Sequence, residues 1–174
     1  INNTENIKWI RLLYMNPERL DEELIELIAG EEKVCKYIDM PLQHINDRIL
    51  KLMNRKMTKR RILSLIKKIR RVIPDVALRT SLIVGFASET RKEFEELVDF
   101  IKEVKFERLG AFIYSREEGT AAYHFKGQVP QKVKEERFDT IMSVQQEIAR
   151  EINSKFMNKE IEVLVEEKDS KSPY

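Results

Sequence analysis

The sequence predicts an α/β fold built on parallel strands, and three observations carry that reading. Short apolar runs of strand length alternate with longer segments of helical period, in the order strand, helix, strand, helix. Capping and breaking residues (Asn16-Pro17, Pro41, Gly85, Thr90) punctuate the boundaries. Consecutive strands joined through helices must run parallel, by right-handed crossovers. The architecture is therefore a doubly wound sheet or part of a (βα) barrel, and in either a site belongs at the C-terminal ends of the strands.

In order, Ile7 to Tyr14 carries Ile, Trp, Leu and Tyr, as a buried strand would. Asn16 then reads as an N-cap with Pro17 at the first helical position, and Leu20, Leu24, Leu27 and Ile28 form an apolar stripe that Gly30 ends. Val34 to Asp39 is the second strand, followed by a loop, Met40 to His44, and a short helix from Asn46 to Met53. A longer helix runs from Thr58 to Ile73, with Ile62, Ile66, Ile69 and Ile73 on one face. Val76 to Gly85 is the third strand. Thr90 and Glu93 make a capping box for a helix whose stripe is Phe94, Leu97, Val98 and Ile101. Arg108 to Tyr114 is the fourth strand.

After Pro130 a long helical segment reaches about Met157, with Phe138, Ile141, Met142, Ile148, Ile152 and Phe156 on its apolar side. Glu160 to Glu167 alternates strictly, as a half-buried antiparallel strand does. The expected organisation is a barrel part over 1–129, a long helix over 130–158 and the start of a β domain over 159–174.

Composition narrows the function classes. Net charge is only +2, so the molecule as a whole is no polyanion binder. No apolar run approaches the roughly 20 residues of a membrane span, and no basic-then-apolar leader opens the chain, so a cytoplasmic protein without membrane contact is expected. The single cysteine, Cys35, excludes an internal disulfide and reads as a small buried apolar residue. Arg55 through Arg71 holds nine Lys or Arg and no acid. A solvated outer face is the expectation there and nucleic acid is not the expected partner; contact with nucleic acid or the ribosome is the lesser alternative, and no interleaved aromatic platform supports RNA-strand binding.

Other residues admit two readings. Gly85 after a buried strand either makes a turn or lets a ligand approach the backbone. Glu89 and Thr90 cap a helix first. His44 either packs or meets substrate. Arg79, charged and mid-strand, needs either a ligand carboxylate, the reading favoured here, or an internal partner such as Asp39.

Three stretches resemble the ribosomal-protein (RimO-type) branch of the radical-SAM methylthiotransferases. They are Tyr37-Ile38-Asp39-Met40-Pro41-Leu42-Gln43-His44 with Ile49 to Arg55, Leu78 to Phe86 with Glu89-Thr90, and Tyr114-Ser115-Arg116-Glu117-Glu118-Gly119-Thr120. The resemblance implies a partial radical-SAM (βα) barrel of about four parallel strands with outer helices, then the long helix and the first strand of a TRAM domain. It implies S-adenosylmethionine as cofactor, an iron–sulfur cluster, and methylthio transfer to an aspartate of a small-subunit ribosomal protein. Gln43, Arg79, Ser81, Ile83, Gly85 and the backbone from Phe112 to Tyr114 match the places where the family meets the cofactor, and His44 is the matching substrate contact.

The chain departs from the family's pattern. The first two strands and the cysteine loop that holds the cluster are missing, and Cys35 alone cannot replace them. Ala87-Ser88 stands where the family reads Pro-Gly, and Ala121 where it reads Pro. The expectation is a piece of the enzyme, inactive alone. The alternatives are a non-catalytic, self-associating or engineered scaffold derived from the barrel, and an unrelated small-ligand α/β barrel. Open strand edges and an uncovered inner face of Val, Ile and Leu lead to the expectation of a homodimer.

Overall fold

A computed structural model describes residues 4–165. At its centre lies a three-stranded parallel sheet in the order β1 (Tyr37–Asp39), β2 (Ala77–Val84), β3 (Arg108–Ile113). Around it are α1 (Glu22–Gly30), α2 (Asp47–Leu52), α3 (Lys59–Val72), α4 (Arg91–Val104) and α5 (Gln131–Ser154). Ile38 of β1 lies beside Leu78 of β2, and Leu82 of β2 beside Ala111 of β3. Each crossover between paired strands passes through helix, as parallel pairing requires.

Helix starts follow the polar residues available. Asn46 accepts from the backbone N–H groups of Arg48 and Ile49, Thr58 from that of Arg61, and Thr90 and Glu93 form the reciprocal capping box. The N-terminal helix differs from expectation. Asn16 caps only a single 3-10 turn, Pro17–Arg19, and Asp21 starts α1 in its place. Of the expected stripe Leu20 and Ile28 are buried and Leu24 packs against the core, whereas Leu27 is 49% exposed and Ile25 is buried in its stead.

The segment from Ile7 to Tyr14 forms no ladder. It meets the sheet through one parallel bridge, Ile10 to Val34, and through Met15 N–H donating to the Asp39 carbonyl. The reason is local. Tyr37 N–H turns back to the Cys35 carbonyl at 2.7 Å, so the edge of β1 begins only at Tyr37. Cys35 is half-buried rather than enclosed.

Along β2, burial alternates with the period of the pleat. Leu78, Thr80, Leu82 and Val84 point into the core with Ile62, Ile66 and Ile69 of α3 and Phe94, Leu97, Phe100 and Ile101 of α4. Arg79, Ser81 and Ile83 point to the other, open face, beside Arg108 and Phe112 of β3. That face is therefore mixed, not the bare wall of Val, Ile and Leu that the sequence suggested; the branched residues are taken by the helices.

Helix α5 packs on β3 and α4 and shares the core through Ile141 and Ile148. Its buried stripe is Lys134, Arg137, Ile141, Gln145 and Ile148, so three polar residues lie in phase with the apolar ones. Met142 and Phe156, expected on the inner side, are 36% and 51% exposed. Residues 160–165 form no strand, because no neighbouring strand lies beside them among the described residues, and Lys8 with Glu162 is an ion pair there. The remainder of that expected strand lies outside the described residues.

Candidate functional site

The C-terminal ends of the three strands converge on one opening. Beyond β1 the chain rejoins the sheet at Gln43, whose N–H donates to the Ser81 carbonyl at 2.9 Å and whose carbonyl accepts from Ile83 N–H at 2.8 Å. Gln43 takes a left-handed φ of 70° there, a conformation uncommon outside glycine. Tyr114 N–H donates to the Val84 carbonyl at 2.9 Å, which aligns the end of β3 with that of β2.

Gln43, Ile83 and Tyr114 thereby line a cavity of about 280 Å³, closed further by Phe86, Met53 and Ala122. Phe86 meets the Tyr114 ring edge-on at 4.8 Å and the Phe125 ring at 6.1 Å. The Tyr114 hydroxyl donates to the Ala122 carbonyl at 3.3 Å, and burial pushes its phenol above the ordinary tyrosine range. An aromatic and aliphatic wall with a few fixed polar groups suits a flat, partly apolar ligand.

A buried polar network holds the loop behind this wall. One Glu89 oxygen accepts from the N–H groups of both Gly85 and Phe86, the latter at 3.1 Å, and Arg137 of α5 lies 3.3 Å from the same oxygen. Arg137 also donates to the Glu89 carbonyl at 3.1 Å. Gly85 takes φ 71°, and a Cβ there would overlap the Lys134 side chain, so both backbone and space demand glycine. Lys134 donates to the Tyr114 carbonyl at 2.8 Å and sits over the Tyr114 ring; burial lowers its pKa. On the outer side Arg48 donates to the Ser88 carbonyl at 2.7 Å and grips Glu93 with two nitrogens, at 2.6 and 2.7 Å. Ser88 has φ 62°, which explains why a glycine suits that position.

The expected site residues divide into groups. Gln43, Ile83 and Tyr114 share the cavity, with Gly85 in the turn beside it. Ser81 and Arg79 follow Ile83 down the open face of β2, and Phe112, 56% exposed, lies beside Ile83 in register. Arg79 has the internal partner: its guanidinium donates to Asp39 at 2.8 Å, and that bond raises its pKa. This is the internal partner that the sequence offered beside a ligand carboxylate, and strand register brings the two residues together. His44 has no exposed atom with which to touch a substrate. Its Nδ1 accepts from Asn46 N–H at 3.0 Å, and its Nε2 faces Glu89 at 3.7 Å, too far for a hydrogen bond.

Sequence reasoning missed Arg48, Phe86, Lys134 and Arg137. The available signal was the helical spacing of Lys134 and Arg137 with Ile141, which puts two cations in line with a core residue. Among the described residues no group of three or more His, Cys, Asp or Glu side chains could hold a metal ion. Cys35 is the single thiol of the sequence, too few for an iron–sulfur cluster, which is held by several cysteine thiolates.

Residues 7–101 match the Radical SAM superfamily. The chain is 54% identical over 158 residues to the ribosomal protein uS12 methylthiotransferase RimO of Thermodesulfovibrio yellowstonii, covering 91% of this chain and 37% of that protein. It is 51% identical over 171 residues to the protein of that name in Clostridium novyi, covering 98% and 38%. The chain thus spans well under half the length of the curated relatives it matches. Among solved structures, Elp3 of the archaeon Methanocaldococcus infernus superposes with a TM-score of 0.55 at 16% identity, over 79% of this chain and 32% of that one, a likeness of fold. With more than half its residues inside the match, the chain belongs to the Radical SAM superfamily.

Proposed function

We propose that the cavity at the strand ends takes the adenosyl part of S-adenosylmethionine, and that the chain serves a cytoplasmic methylthiotransferase acting on an aspartate of ribosomal protein uS12. The observation that supports this best is the meeting of Gln43, Ile83 and Tyr114, far apart in sequence, on one cavity. Ile83, Phe86 and Tyr114 offer apolar faces to a purine, Gln43 offers an amide at the rim, and Gly85 sets the turn that carries Phe86 to the cavity. S-adenosylmethionine supplies the sulfonium carbon–sulfur bond that such enzymes cleave reductively. Cys35 is the one thiol of the chain, so no cluster-dependent step is assigned to these residues, and the chain alone is expected to turn over no cofactor.

Without a cluster to anchor the methionyl end, affinity falls to a Kd on the order of 1 mM. Titration with S-adenosylmethionine, followed by amide chemical shifts, should move Gln43, Ile83, Gly85 and Tyr114 together. Ile83→Asp should abolish those shifts while leaving the remaining spectrum folded. Absence of any shift at millimolar ligand, or shifts confined to other residues, rejects the assignment. Light scattering of the same sample reads the expected homodimer, which the edge strand β3 would template.

A further inference from the structure

Charge of one sign gathers on the outer face of α3 and on the residues just before it, of which Arg55 also lines the cavity. Of the nine cations between Arg55 and Arg71, three are half-buried, and each of these has an acid: Lys59 with Glu96 at 2.7 Å, Lys68 with Glu22 at 2.9 Å, Arg70 with Glu107 at 3.0 Å. The other six, Arg55, Lys56, Arg60, Arg61, Lys67 and Arg71, are exposed, and none has an acidic partner among the described residues. Residues 59–72 supply no acid of their own, whereas α4 beside them carries Glu93, Glu95, Glu96, Asp99 and Glu103. A soluble surface ordinarily intersperses both signs.

Arg60, Lys67 and Arg71 follow at steps of seven and four residues, so they form one row about 16 Å long. That row borders a groove of about 850 Å³, whose acid, Asp47, accepts from Lys59 N–H at 2.6 Å. We propose that this face binds the phosphate backbone of double-helical RNA.

The chemistry of the face selects that ligand. No aromatic side chain lines the groove, which argues against stacking the bases of a single strand. The apolar side of α3 (Ile62, Ile66, Ile69) is buried in the core, so the helix has no face to lay into a lipid surface. Leu63 is the single apolar residue of the groove, too little to anchor a protein partner. A row of cations without base-reading groups fits regularly spaced phosphates, contacted without sequence preference. The choice of RNA over DNA rests on the proposed function, since the relatives' named substrate is a ribosomal protein.

The test is fluorescence anisotropy of a labelled RNA duplex, about 16 base pairs long, titrated with the full chain across salt concentration. The triple variant Arg60→Gln/Lys67→Gln/Arg71→Gln, whose fold is checked by circular dichroism, should weaken binding more than tenfold near 100 mM salt and reduce the salt slope by about 2 to 3. Equal affinity and slope for chain and variant, or no binding at low salt, overturns the proposal. So does equal competition by a poly-glutamate peptide or by phosphatidylserine vesicles, which would assign the face to protein or membrane. Equal affinity for a DNA duplex overturns the choice of RNA. Chemical shifts with S-adenosylmethionine should be the same for chain and variant, so failure at the cavity and failure at α3 are read separately.

Discussion

Two sets of cations in this molecule share residue types and differ in what they touch. At the strand ends Arg48, Lys134 and Arg137 each donate to a backbone carbonyl, those of Ser88, Tyr114 and Glu89. On α3, Arg60, Lys67 and Arg71 have no acidic partner among the described residues. The first set is committed to the shape of a loop, and its charge is unavailable to a ligand. The second contributes little to folding and keeps its charge for whatever arrives. Lys134 and Arg137 are buried, whereas Arg48 is exposed like the α3 row and is set apart by its bonds to Ser88 and Glu93.

The contrast breaks most sharply at Glu89. Glu89→Ala strands the N–H groups of Gly85 and Phe86 and leaves Arg137 without its carboxylate, so guanidinium denaturation should show a loss of about 3–5 kcal/mol. The α3 triple variant is the baseline, within about 0.5 kcal/mol of the unaltered chain. If the two sets of variants cost the same, the division between committed and free cations is wrong.

A smaller effect is expected at the Arg48–Glu93 fork. The guanidinium holds the Glu93 carboxyl at about 2, below its ordinary 4.5. Because the folded value is depressed, the stabilisation is fully present above pH 4.5 and disappears as pH falls toward 2. Arg48 is about half exposed, so solvent screening reduces its worth to about 1 kcal/mol. Arg48→Met should lose that amount near neutrality and flatten the decline of stability across this acid window. An unchanged acid limb would show that Glu93 draws its stability from Thr90 alone.

The smallest effect is at Ser88, whose φ of 62° favours glycine. Ser88→Gly should stabilise by about 0.5 kcal/mol, the relieved left-handed strain being partly offset by unfolded-state entropy and by loss of the hydroxyl contact to Arg48. Thermal denaturation showing a loss instead would mean that the Arg48 contact outweighs the strain.

Much of the fold was legible because its signals are local. Asn46, Thr58 and Thr90 cap the helices they precede, and the isoleucines of α3 face inward as their spacing requires. The start of α1 was misplaced because Asn16-Pro17 and Asp21 are both valid caps, and only packing decides between them. The strand expected at Ile7–Tyr14 failed for a similar reason: an apolar run specifies burial, but a ladder also needs a free edge, which the turn at Cys35 denies. At the candidate site, the resemblance named Gln43, Ile83 and Tyr114, which share one cavity. It did not name the residues behind them. Lys134, Arg137 and Gln145 carry the polarity of surface residues, and their burial follows from what β3 and the Glu89 loop present to α5.

That mixed stripe on α5 has a consequence for local opening. Lifting the first turns of α5 would uncover the Gly85 amide, release the Glu89 carboxylate from Arg137 and free the Tyr114 carbonyl in a single event. Residues 85–89 and 131–137 therefore form one cooperative unit, whose amides exchange with solvent together although 41 residues separate them.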